Sequence, residues 1–441
     1  MKIMKFGGTS VGRPERMHQV KDLITRGDEP TIVVLSALSG TTNALVGIGE
    51  ALAAADKALA KQRIDTLHAH YLAFYPALLQ TEEARAKAEE IIKEHFEFLN
   101  ILLKISFNEA INRDILAQGE LLSTKLFYTL LGELQIPAVF LPALDFMSID
   151  ENSEPELPKI SEKLKAILAQ HPNERLFITQ GYICKNHRNE VDNLKRGGSD
   201  YTASLVAAAI NASVCEIWTD IDGMHNNDPR VVDRTRPIAE MSFDEAAELA
   251  YFGAKILHPA SIWPAQLYNV PVKLLNTMEP SAHGTLIKAE VDTTGVKAIA
   301  AKDGITAIKI KSSRMLLAYG FLRRIFEVFE KYKTPIDMIT TSEVAVSVTI
   351  DDLSHLEHIL AELESFGTVE IDRNQAIICV VGNKVAETKG AVQSVLDSLI
   401  DIPVRMVSFG GSKHNVSILV DAQYKTQALK NLNEGVFDWN N

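Results

Sequence analysis

The stretch Lys5-Phe6-Gly7-Gly8-Thr9-Ser10-Val11-Gly12 follows a short apolar run and precedes a helical pattern that opens at Pro14. Strand, glycine turn and helix in this order present backbone N–H groups and a positive helix end to an anion. Gly7 and Gly12 have the spacing of a phosphate-binding loop, but Arg13-Pro14 stands where that motif needs Lys followed by Ser or Thr. Lys5 instead precedes the glycines, at the carboxyl end of its strand, where ligands of open α/β sheets bind. A tight glycine turn with a solvated Lys5 explains the stretch equally well, so this pattern leaves both interpretations open.

Around this stretch, apolar runs alternate with helical stretches, which predicts a layered α/β domain. Ile3-Phe6 and Thr31-Ser36 have the composition of buried strands. From about residue 44 to residue 132 the pattern is almost wholly helical. Glu82 to Ile105 repeats apolar residues at helical spacing, which predicts a long amphipathic helix.

The last third of the chain contains an internal repeat. Ala345-Val-Ser-Val-Thr-Ile-Asp351 matches Asn415-Val-Ser-Ile-Leu-Val-Asp421, and Pro335-Ile-Asp-Met-Ile339 matches Pro403-Val-Arg-Met-Val407. Helical patterns flank each strand pair in a β-α-β-β-α-β order, which is ferredoxin-like. Because these units lack ionisable clusters, we expect two small regulatory domains in tandem.

Composition limits the classes of function. The 441 residues carry a net charge of -12, which argues against nucleic-acid binding. Three widely spaced cysteines exclude a disulfide framework and argue against a cysteine-rich zinc site. No secretory leader or membrane-length apolar run is evident, so we expect a cytoplasmic protein without a membrane partner.

A second glycine-rich helix start occurs at Lys195-Arg196-Gly197-Gly198-Ser199-Asp200-Tyr201-Thr202. Ser199 or Asp200 is a natural N-cap for the apolar helix that follows. Capping alone does not explain Arg196 and the two glycines at the same helix start. Because Arg can bind a carboxylate in bidentate fashion, we favour a second anion-binding helix start.

Four further stretches carry ionisable residues. Trp218-Thr-Asp-Ile-Asp-Gly223 and Asn227-Asp-Pro-Arg-Val231 place acids at a strand end and in a loop, where they suit a ribose or a metal, or serve only to form turns. Phe252-Gly-Ala-Lys-Ile-Leu-His-Pro259 places Lys255 in an apolar segment, from which it could simply extend to solvent. Ala117-Gln-Gly-Glu120 places a carboxylate before an apolar run, where capping is the alternative. Together with two glycine-rich helix starts, these motifs fit phosphoryl transfer, in which positioning and charge neutralisation do most of the catalysis.

The chain resembles the aspartate kinases (aspartokinases) of the amino-acid-kinase family. The resemblance rests on KFGGTSV, Leu35-Ser-Ala…Gly40-Thr-Thr-Asn43, Gln118-Gly-Glu120, Thr179-Gln-Gly181, RGGSDYTA, WTDIDG with DPRVV, and FGAKILHP, which occur in the family's order. It implies an α/β fold: an amino-acid-kinase-type three-layer αβα sandwich over residues 1–290, with a helical insert near 44–132. Two ferredoxin-like (βαββαβ) ACT domains would follow over residues 296–441.

The resemblance also implies ATP-dependent phosphorylation of L-aspartate to 4-phospho-L-aspartate, the first step toward lysine, threonine and methionine. The cofactors would be ATP and Mg2+, with the metal held chiefly by phosphate oxygens and water rather than by protein ligands. Feedback regulation by an amino acid, lysine or threonine, would act at the ACT domains of a homodimer.

Site residues follow from the resemblance position by position. The catalytic residues would be Lys5, Asp200 and Lys255. The aspartate site would comprise Thr42, Glu120, Arg196 and Ser199, in which Arg196 takes the α-carboxylate and Glu120 the ammonium group. ATP would contact Lys5, Gly7, Gly8, Ser10, Thr219, Asp220, Arg230 and Lys255.

For the effector the resemblance points to Met315, Gly320, Phe321, Leu322, Asp337 and Thr341. Ala318 stands where lysine-sensitive relatives carry a hydroxyl-bearing residue, which weakens the case for lysine. Core packing explains Phe321 and Leu322 equally well. Two other functions stay open: a related kinase acting on another small acid such as glutamate, and a catalytically inactive amino-acid sensor.

Overall fold

The computed structural model describes residues 1–194, 197–253, 257–312, 319–437 and 439. They form two compact units, Met1–Met224 with Leu257–Ala289 and His225–Ile256 with Glu290–Asn441. Residues 225–256 are thus grouped with the C-terminal part of the chain. The division predicted from the sequence, at residues 290 and 296, stays a prediction.

The described elements are numbered in chain order. The strands are β1 (Lys2–Phe6), β2 (Thr31–Leu35), β3 (Val139–Phe140), β4 (Leu176–Gln180), β5 (Ile183–Lys185), β6 (Val191–Asn193), β7 (Cys215–Thr219), β8 (Glu240–Ser242), β9 (Val272–Asn276), β10 (Thr285–Lys288), β11 (Gly295–Lys311), β12 (Ile339–Thr341), β13 (Ala345–Ile350), β14 (Thr368–Asn383), β15 (Val404–Phe409) and β16 (Asn415–Asp421). The helices are α1 (Gly8–Val11), α2 (Pro14–Ile24), α3 (Thr41–Ala53), α4 (Lys57–Leu78), α5 (Glu82–Leu102), α6 (Glu109–Glu133), α7 (Ala143–Phe146), α8 (Leu157–Ala169), α9 (Gly198–Ile210), α10 (Phe243–Tyr251), α11 (Pro259–Leu267), α12 (Phe321–Lys331), α13 (Leu356–Leu363), α14 (Ala391–Asp397) and α15 (Lys425–Val436).

The first unit is built on a parallel sheet in the order β3-β4-β2-β1-β7-β9, to which β10 adds antiparallel. Met4 and Phe6 of β1 pack into the core formed with helices α2 to α6. Ile3, which points to the opposite face of the pleated strand, is also fully buried. Both faces of the sheet are therefore covered, as the near-continuous apolar runs of β1 and β2 require.

Parallel strands bring their carboxyl ends to one edge of the sheet. β1 lies between β2 and β7, with Lys5 in register with Val34 and Ile217. The glycine turn after β1, the segment after β2 and the Thr219-Asp220 pair at the end of β7 consequently meet at this edge, where ligands of open α/β sheets bind.

The helical insert forms most of the core on one side of this sheet. The amphipathic helix predicted over Glu82–Ile105 is confirmed as α5. It packs against α4 and α6, and Tyr71 and Phe96 are among the largest fully buried side chains of the described residues. The insert thereby fixes α6, which carries Glu120.

The second unit contains an antiparallel sheet in the order β12-β13-β11-β14-β16-β15. Ile305–Lys311 of β11 pairs with Thr368–Gln375 of β14, and with α12, β12, β13 and α13 these segments form one βαββαβ unit. The remaining part of β14, with α14, β15, β16 and α15, forms the other. Each unit has its own hydrophobic core.

The two βαββαβ units are interleaved, which corrects the simple tandem order predicted from the repeat. The second βαββαβ unit is completed by Gly295–Lys302, the first half of β11, which pairs with Ile377–Asn383 of β14. This half-strand precedes the whole of the first βαββαβ unit in the chain. A strand's sequence specifies its burial pattern rather than its partner, so the exchange leaves no mark in the repeat itself.

Candidate active site

The Lys5–Asp200 ion pair lies at the carboxyl edge of the parallel sheet. Lys5 Nζ is 2.6 Å from Asp200 Oδ1, and both side chains are largely buried. Lys5 is the penultimate residue of β1, and Asp200 lies in the first turn of α9. This ion pair fixes the direction of the lysine side chain.

Glycine forms the start of α9, which corrects the predicted cap. The N-cap is Gly197, with φ 64, and the helix begins at Gly198, so neither Ser199 nor Asp200 caps it. A Cβ at Gly197 would lie 2.4 Å from Ser261 Cβ. Close packing and a left-handed backbone therefore both require glycine here, and Asp200 is left to pair with Lys5.

The glycine turn after β1 is packed tightly against its surroundings. A Cβ at Gly7 would lie 3.4 Å from Lys5 Nζ, and one at Gly8 would lie 3.0 Å from the Ala37 carbonyl oxygen. Gly7 caps the short helix α1, and its N–H donates to the Trp218 carbonyl at 3.3 Å. The absence of side chains leaves backbone, rather than side-chain, surface beside the lysine ammonium group.

Ser10 is fully buried, and its hydroxyl hydrogen-bonds the Thr277 hydroxyl at 2.7 Å. It also lies 3.4 Å from the Trp218 carbonyl oxygen. These bonds join α1 to β7 and to the chain after β9. The predicted contact of Ser10 with ATP stays a prediction.

Glu120 is buried near the middle of helix α6, far from both ends, so the alternative of helix capping is wrong. Its Oε1 accepts a hydrogen bond from the Ala37 backbone N–H at 3.3 Å, and its Oε2 is buried without a partner among the described residues. Burial raises the pKa of Glu120 to about 8, against the lowering effects of backbone hydrogen bonds and of the Lys5 charge. Its Oε2 can therefore accept a hydrogen bond from a ligand, which suits a ligand carrying a positive charge.

The glycine before Glu120 explains how α6 approaches the sheet edge. A Cβ at Gly119 would lie 2.8 Å from Ala37 Cβ and 3.3 Å from Thr41 Cγ2. Thr41 is buried and hydrogen-bonds Tyr71 at 3.1 Å, whereas Thr42, the predicted substrate contact, is exposed at the start of α3. Sequence reasoning did not identify Thr41 or Tyr71 as supports of this region.

Ser199 is buried against the turn after β4. A Cβ at Gly181 would lie 2.3 Å from both Ser199 Cβ and Ser199 Oγ. The next residue, Tyr182, has φ 66, and its N–H donates to Thr202 Oγ1 at 2.8 Å. Sequence reasoning missed Tyr182 and Thr202, although Tyr182 directly follows the Thr179-Gln-Gly181 motif.

The predicted nucleotide residues lie in both compact units. At the end of β7, Thr219 Oγ1 donates to the Asp220 carboxylate at 3.1 Å, and Asp220 is exposed. Arg230 belongs to the second unit, where its Nε and Nη2 donate to Asp228 at 2.9 and 2.8 Å. His258 is the N-cap of α11, and its Nδ1 accepts from the Ala260 N–H at 3.2 Å.

Three predicted site residues, Arg196, Lys255 and Met315, lie outside the described residues, as does Ala318. Among the predicted effector residues that are described, Gly320 has φ 77 and caps α12. Phe321 is buried in the core of its βαββαβ unit, Leu322 and Thr341 are exposed, and Asp337 is buried in an ion pair with Lys302. Sequence reasoning missed Lys302, because nothing in its local sequence distinguishes it from a surface lysine.

Within the part of the chain that the structure describes, no cluster of three or more His, Cys, Asp or Glu side chains could hold a metal ion. No described helix is long and apolar enough to cross a membrane.

Comparison with known proteins assigns this geometry to a family. The model of the amino acid kinase family matches residues 1–276, and that of the ACT domain matches residues 378–435. Lysine-sensitive aspartokinase 3 of Escherichia coli is 32% identical over 448 residues, which cover 99% of this chain and 99% of that protein. The chloroplastic aspartokinase 3 of Arabidopsis thaliana is 33% identical over 474 residues, covering 99% and 81%.

Solved structures give the same result. The structure of E. coli aspartokinase III in complex with aspartate and ADP (R-state) is similar with a TM-score of 0.84 and 31% identity, covering 99% of this chain and 100% of that one. The T-state complex of that enzyme with lysine and aspartate gives a TM-score of 0.82 and 32% identity, at 99% and 100% coverage. The fold and site thus define an amino acid kinase with C-terminal ACT domains. Within that family, the chain belongs to the aspartokinases.

Proposed function

We propose that this protein transfers the γ-phosphoryl group of ATP to the side-chain carboxylate of L-aspartate, giving 4-phospho-L-aspartate and ADP. The observation that carries the proposal is the buried Lys5–Asp200 pair at 2.6 Å, next to the glycine turn at the carboxyl edge of the sheet. A lysine ammonium held in place beside open backbone suits the charge that spreads over a transferred phosphoryl group.

The nucleophile needs no general base. A carboxylate with a reference pKa of about 3.9 is ionised at neutral pH, so an oxygen of aspartate can attack the γ-phosphorus directly. A bond forms between that oxygen and phosphorus, the bond from phosphorus to the β,γ-bridging oxygen breaks, and ADP leaves with the electron pair. Lys5 neutralises charge during transfer, Asp200 orients Lys5, and Lys255 is proposed as the second cation.

Recognition of aspartate requires one positively charged protein group for its α-carboxylate and one negatively charged group for its ammonium group. We assign the α-carboxylate to Arg196 and the ammonium group to Glu120, with Thr42 and Ser199 completing the site. The unpartnered Oε2 of Glu120 supports its assignment. Since burial keeps this carboxyl group protonated near neutral pH, binding of the ammonium group draws it to the ionised form and releases a proton.

ATP is proposed to contact Gly7, Gly8, Ser10, Thr219, Asp220 and Arg230, together with both lysines. Mg2+ would be bound mainly through phosphate oxygens and water, as is usual for this ion, and would offset the charge of the phosphates. We further propose a cytoplasmic homodimer in which an amino acid, lysine or threonine, inhibits through the ACT domains.

The test is a hydroxamate trap with purified protein, ATP, Mg2+ and L-aspartate. Trapped aspartyl hydroxamate, formed in proportion to ADP, is the expected result. Its absence would refute the proposed activity. L-glutamate in place of aspartate tests the alternative kinase, and ATP-independent binding of amino acids without hydroxamate would indicate a sensor.

A further inference from the structure

The segment that follows β2 is held against α6 by two hydrogen bonds. Ser123 Oγ of α6 donates to the Ser36 carbonyl oxygen at 2.7 Å, and the Ala37 N–H donates to Glu120 Oε1 at 3.3 Å. Glu120 is the residue to which we assign the ammonium group of aspartate. These bonds therefore fix the beginning of the segment beside the proposed substrate site.

The end of the same segment, where α3 begins, is fixed from the helical insert. The N-cap of α3 is Gly40, with φ 83, which has no side chain to cap the helix. Thr41, the first residue of α3, is buried, and its Oγ1 hydrogen-bonds the Tyr71 hydroxyl of α4 at 3.1 Å. A Cβ at Gly119 of α6 would lie 3.3 Å from Thr41 Cγ2. Thr41 thus lies close to both α4 and α6, directly before the exposed Thr42.

The Tyr71 hydroxyl lies in a closed apolar environment. The Tyr71 side chain is fully buried, and its ring centre is 5.9 Å from that of Phe96 of α5. Burial raises the pKa of this hydroxyl well above its ordinary value, and the charge of Glu120 adds to the increase. The hydroxyl therefore stays protonated at neutral pH. Its removal leaves the buried Thr41 hydroxyl without this bond and with little access to water, which costs more than the loss of a bond at the surface.

We propose that Tyr71 is a positioning residue for aspartate recognition: its hydroxyl fixes Thr41 and thereby the position of Thr42 relative to Glu120. The inference rests on the proposed function, in which Thr42 and Glu120 bind aspartate, and it gives the helical insert a part in substrate recognition. These residues all belong to the first compact unit. Because binding groups must be held within about 0.5 Å of the productive geometry, loss of one buried bond at Thr41 is enough to weaken binding.

The decisive variant is Tyr71→Phe, which removes the hydroxyl and keeps the buried ring. We expect the KM for aspartate to rise roughly threefold to tenfold, the equivalent of one neutral hydrogen bond, while kcat and the KM for ATP change by less than about twofold. Tyr128→Phe is the matched control, because the Tyr128 hydroxyl donates to the Ala138 carbonyl oxygen at 3.2 Å in the same unit. An equal rise in KM in both variants would indicate general loosening of the unit and overturn the proposal, as would a native KM in Tyr71→Phe.

A double-mutant cycle shows whether the effect passes through Thr41. Thr41→Val keeps the shape of the side chain and removes its hydroxyl, so it should raise the KM for aspartate as Tyr71→Phe does. If both substitutions break the same bond, the double variant should have a KM little above that of either single variant, whereas multiplied effects would overturn the link. Thr41→Ser, which retains the hydroxyl, should keep a KM near the native value. Equal KM values in Thr41→Val and Thr41→Ser would overturn the proposal even if Tyr71→Phe does not fold.

Hydrogen exchange separates this inference from the proposed function. Exchange over the peptide spanning 36–46 of the full-length protein should be roughly fivefold faster in Tyr71→Phe and unchanged in Tyr128→Phe. A native protein that forms no aspartyl hydroxamate would refute the proposed function, and the exchange result would still show whether Tyr71 holds the start of α3. Native exchange over this peptide in Tyr71→Phe would overturn the link, whether or not the protein is active.

Discussion

Each compact unit contains a buried lysine–aspartate pair, and the two pairs differ in their charge balance. Lys5 and Asp200, 2.6 Å apart, form a neutral pair in the first unit. Lys302, 2.7 Å from Asp337, also pairs with Asp351, and the Tyr251 hydroxyl donates to Asp337. These four residues, which we call the Asp337 junction, carry two carboxylates and one ammonium group and hence a net negative charge. A neutral pair can accept a phosphate once further cations are supplied, whereas a junction with excess negative charge favours a cation. We infer from the contrast that the number of carboxylates around the ammonium group decides whether a lysine–aspartate pair favours an anionic or a cationic ligand.

The largest expected effect comes from deleting the lysine of the neutral pair. Lys5→Ala should lower kcat by about 10²- to 10³-fold, the usual effect of losing one group that stabilises transition-state charge, with a much smaller change in ATP affinity. Hydroxamate formation and nucleotide binding measure the two quantities. Lys2→Ala is the control, since Lys2 lies on the same strand and pairs with Glu216 at 3.2 Å. Unchanged turnover in Lys5→Ala would show that Lys5 takes no part in catalysis and that the neutral pair is not part of the active site.

Glu120 tests whether the first unit also contains a cation site. Glu120→Gln should raise the KM for aspartate by about tenfold to a hundredfold, the equivalent of one hydrogen bond to a charged group, and lower kcat less. Glu109→Gln, an exposed residue in the first turn of the same helix, should leave KM unchanged. Equal KM values for the native enzyme and Glu120→Gln would assign the ammonium group to another residue.

The pH dependence follows from the raised pKa of Glu120, about 8. Aspartate must bind to the ionised carboxylate, so its KM should fall by up to about tenfold per pH unit as pH rises toward 8 and then level off.

The free energy of unfolding should fall over the same pH range, whereas the affinity for aspartate rises. Since the native state retains a proton that the unfolded state loses near the ordinary pKa of 4.5, this group's contribution to stability is lost as pH rises from about 4.5 to 8. Glu120→Gln should abolish both slopes, which steady-state kinetics and denaturant unfolding can measure.

The two pairs also differ in how far the sequence could predict them. Lys5 lies at the end of a buried apolar strand, and Asp200 follows a glycine pair at the start of an apolar helix, so the parallel α/β rules bring both to one edge. The Asp337 junction instead joins Tyr251, Lys302 and Asp337 from three distant segments, in which no local pattern marks a partner. The interleaved β11 was missed for the same reason: pairing is set by tertiary packing. The N-cap of α9 was assigned to Ser199 or Asp200 because propensity favours them, but contact with Ser261 requires glycine at Gly197.

Packing around the neutral pair can be tested at Gly181. A Cβ there would meet Ser199 Cβ and Oγ at 2.3 Å, so Gly181→Ala should cost about 1–3 kcal/mol of unfolding free energy and raise the KM for aspartate. Gly132→Ala is the matched control, because a Cβ at Gly132 has no neighbour within 4 Å. That substitution, in helix α6, should stabilise by up to about 1 kcal/mol. Equal free energies of unfolding in the two variants would show that Ser199 moves aside without cost.

Asp351→Asn is the mildest change and addresses the charge contrast directly. It removes the second carboxylate from Lys302, so the Asp337 junction becomes a neutral pair like Lys5–Asp200. Asp351 is 38% exposed, and the loss of a partly exposed ion pair should change the unfolding free energy by less than about 1 kcal/mol. Asp372→Asn, at another partly exposed pair of the same unit, controls for the loss of a surface carboxylate. If charge balance governs ligand choice, inhibition by lysine should weaken in Asp351→Asn and not in Asp372→Asn, while inhibition by threonine, whose side chain is uncharged, should respond less. Equal weakening of inhibition by both amino acids would show that Asp351 acts by shaping the junction rather than through its charge.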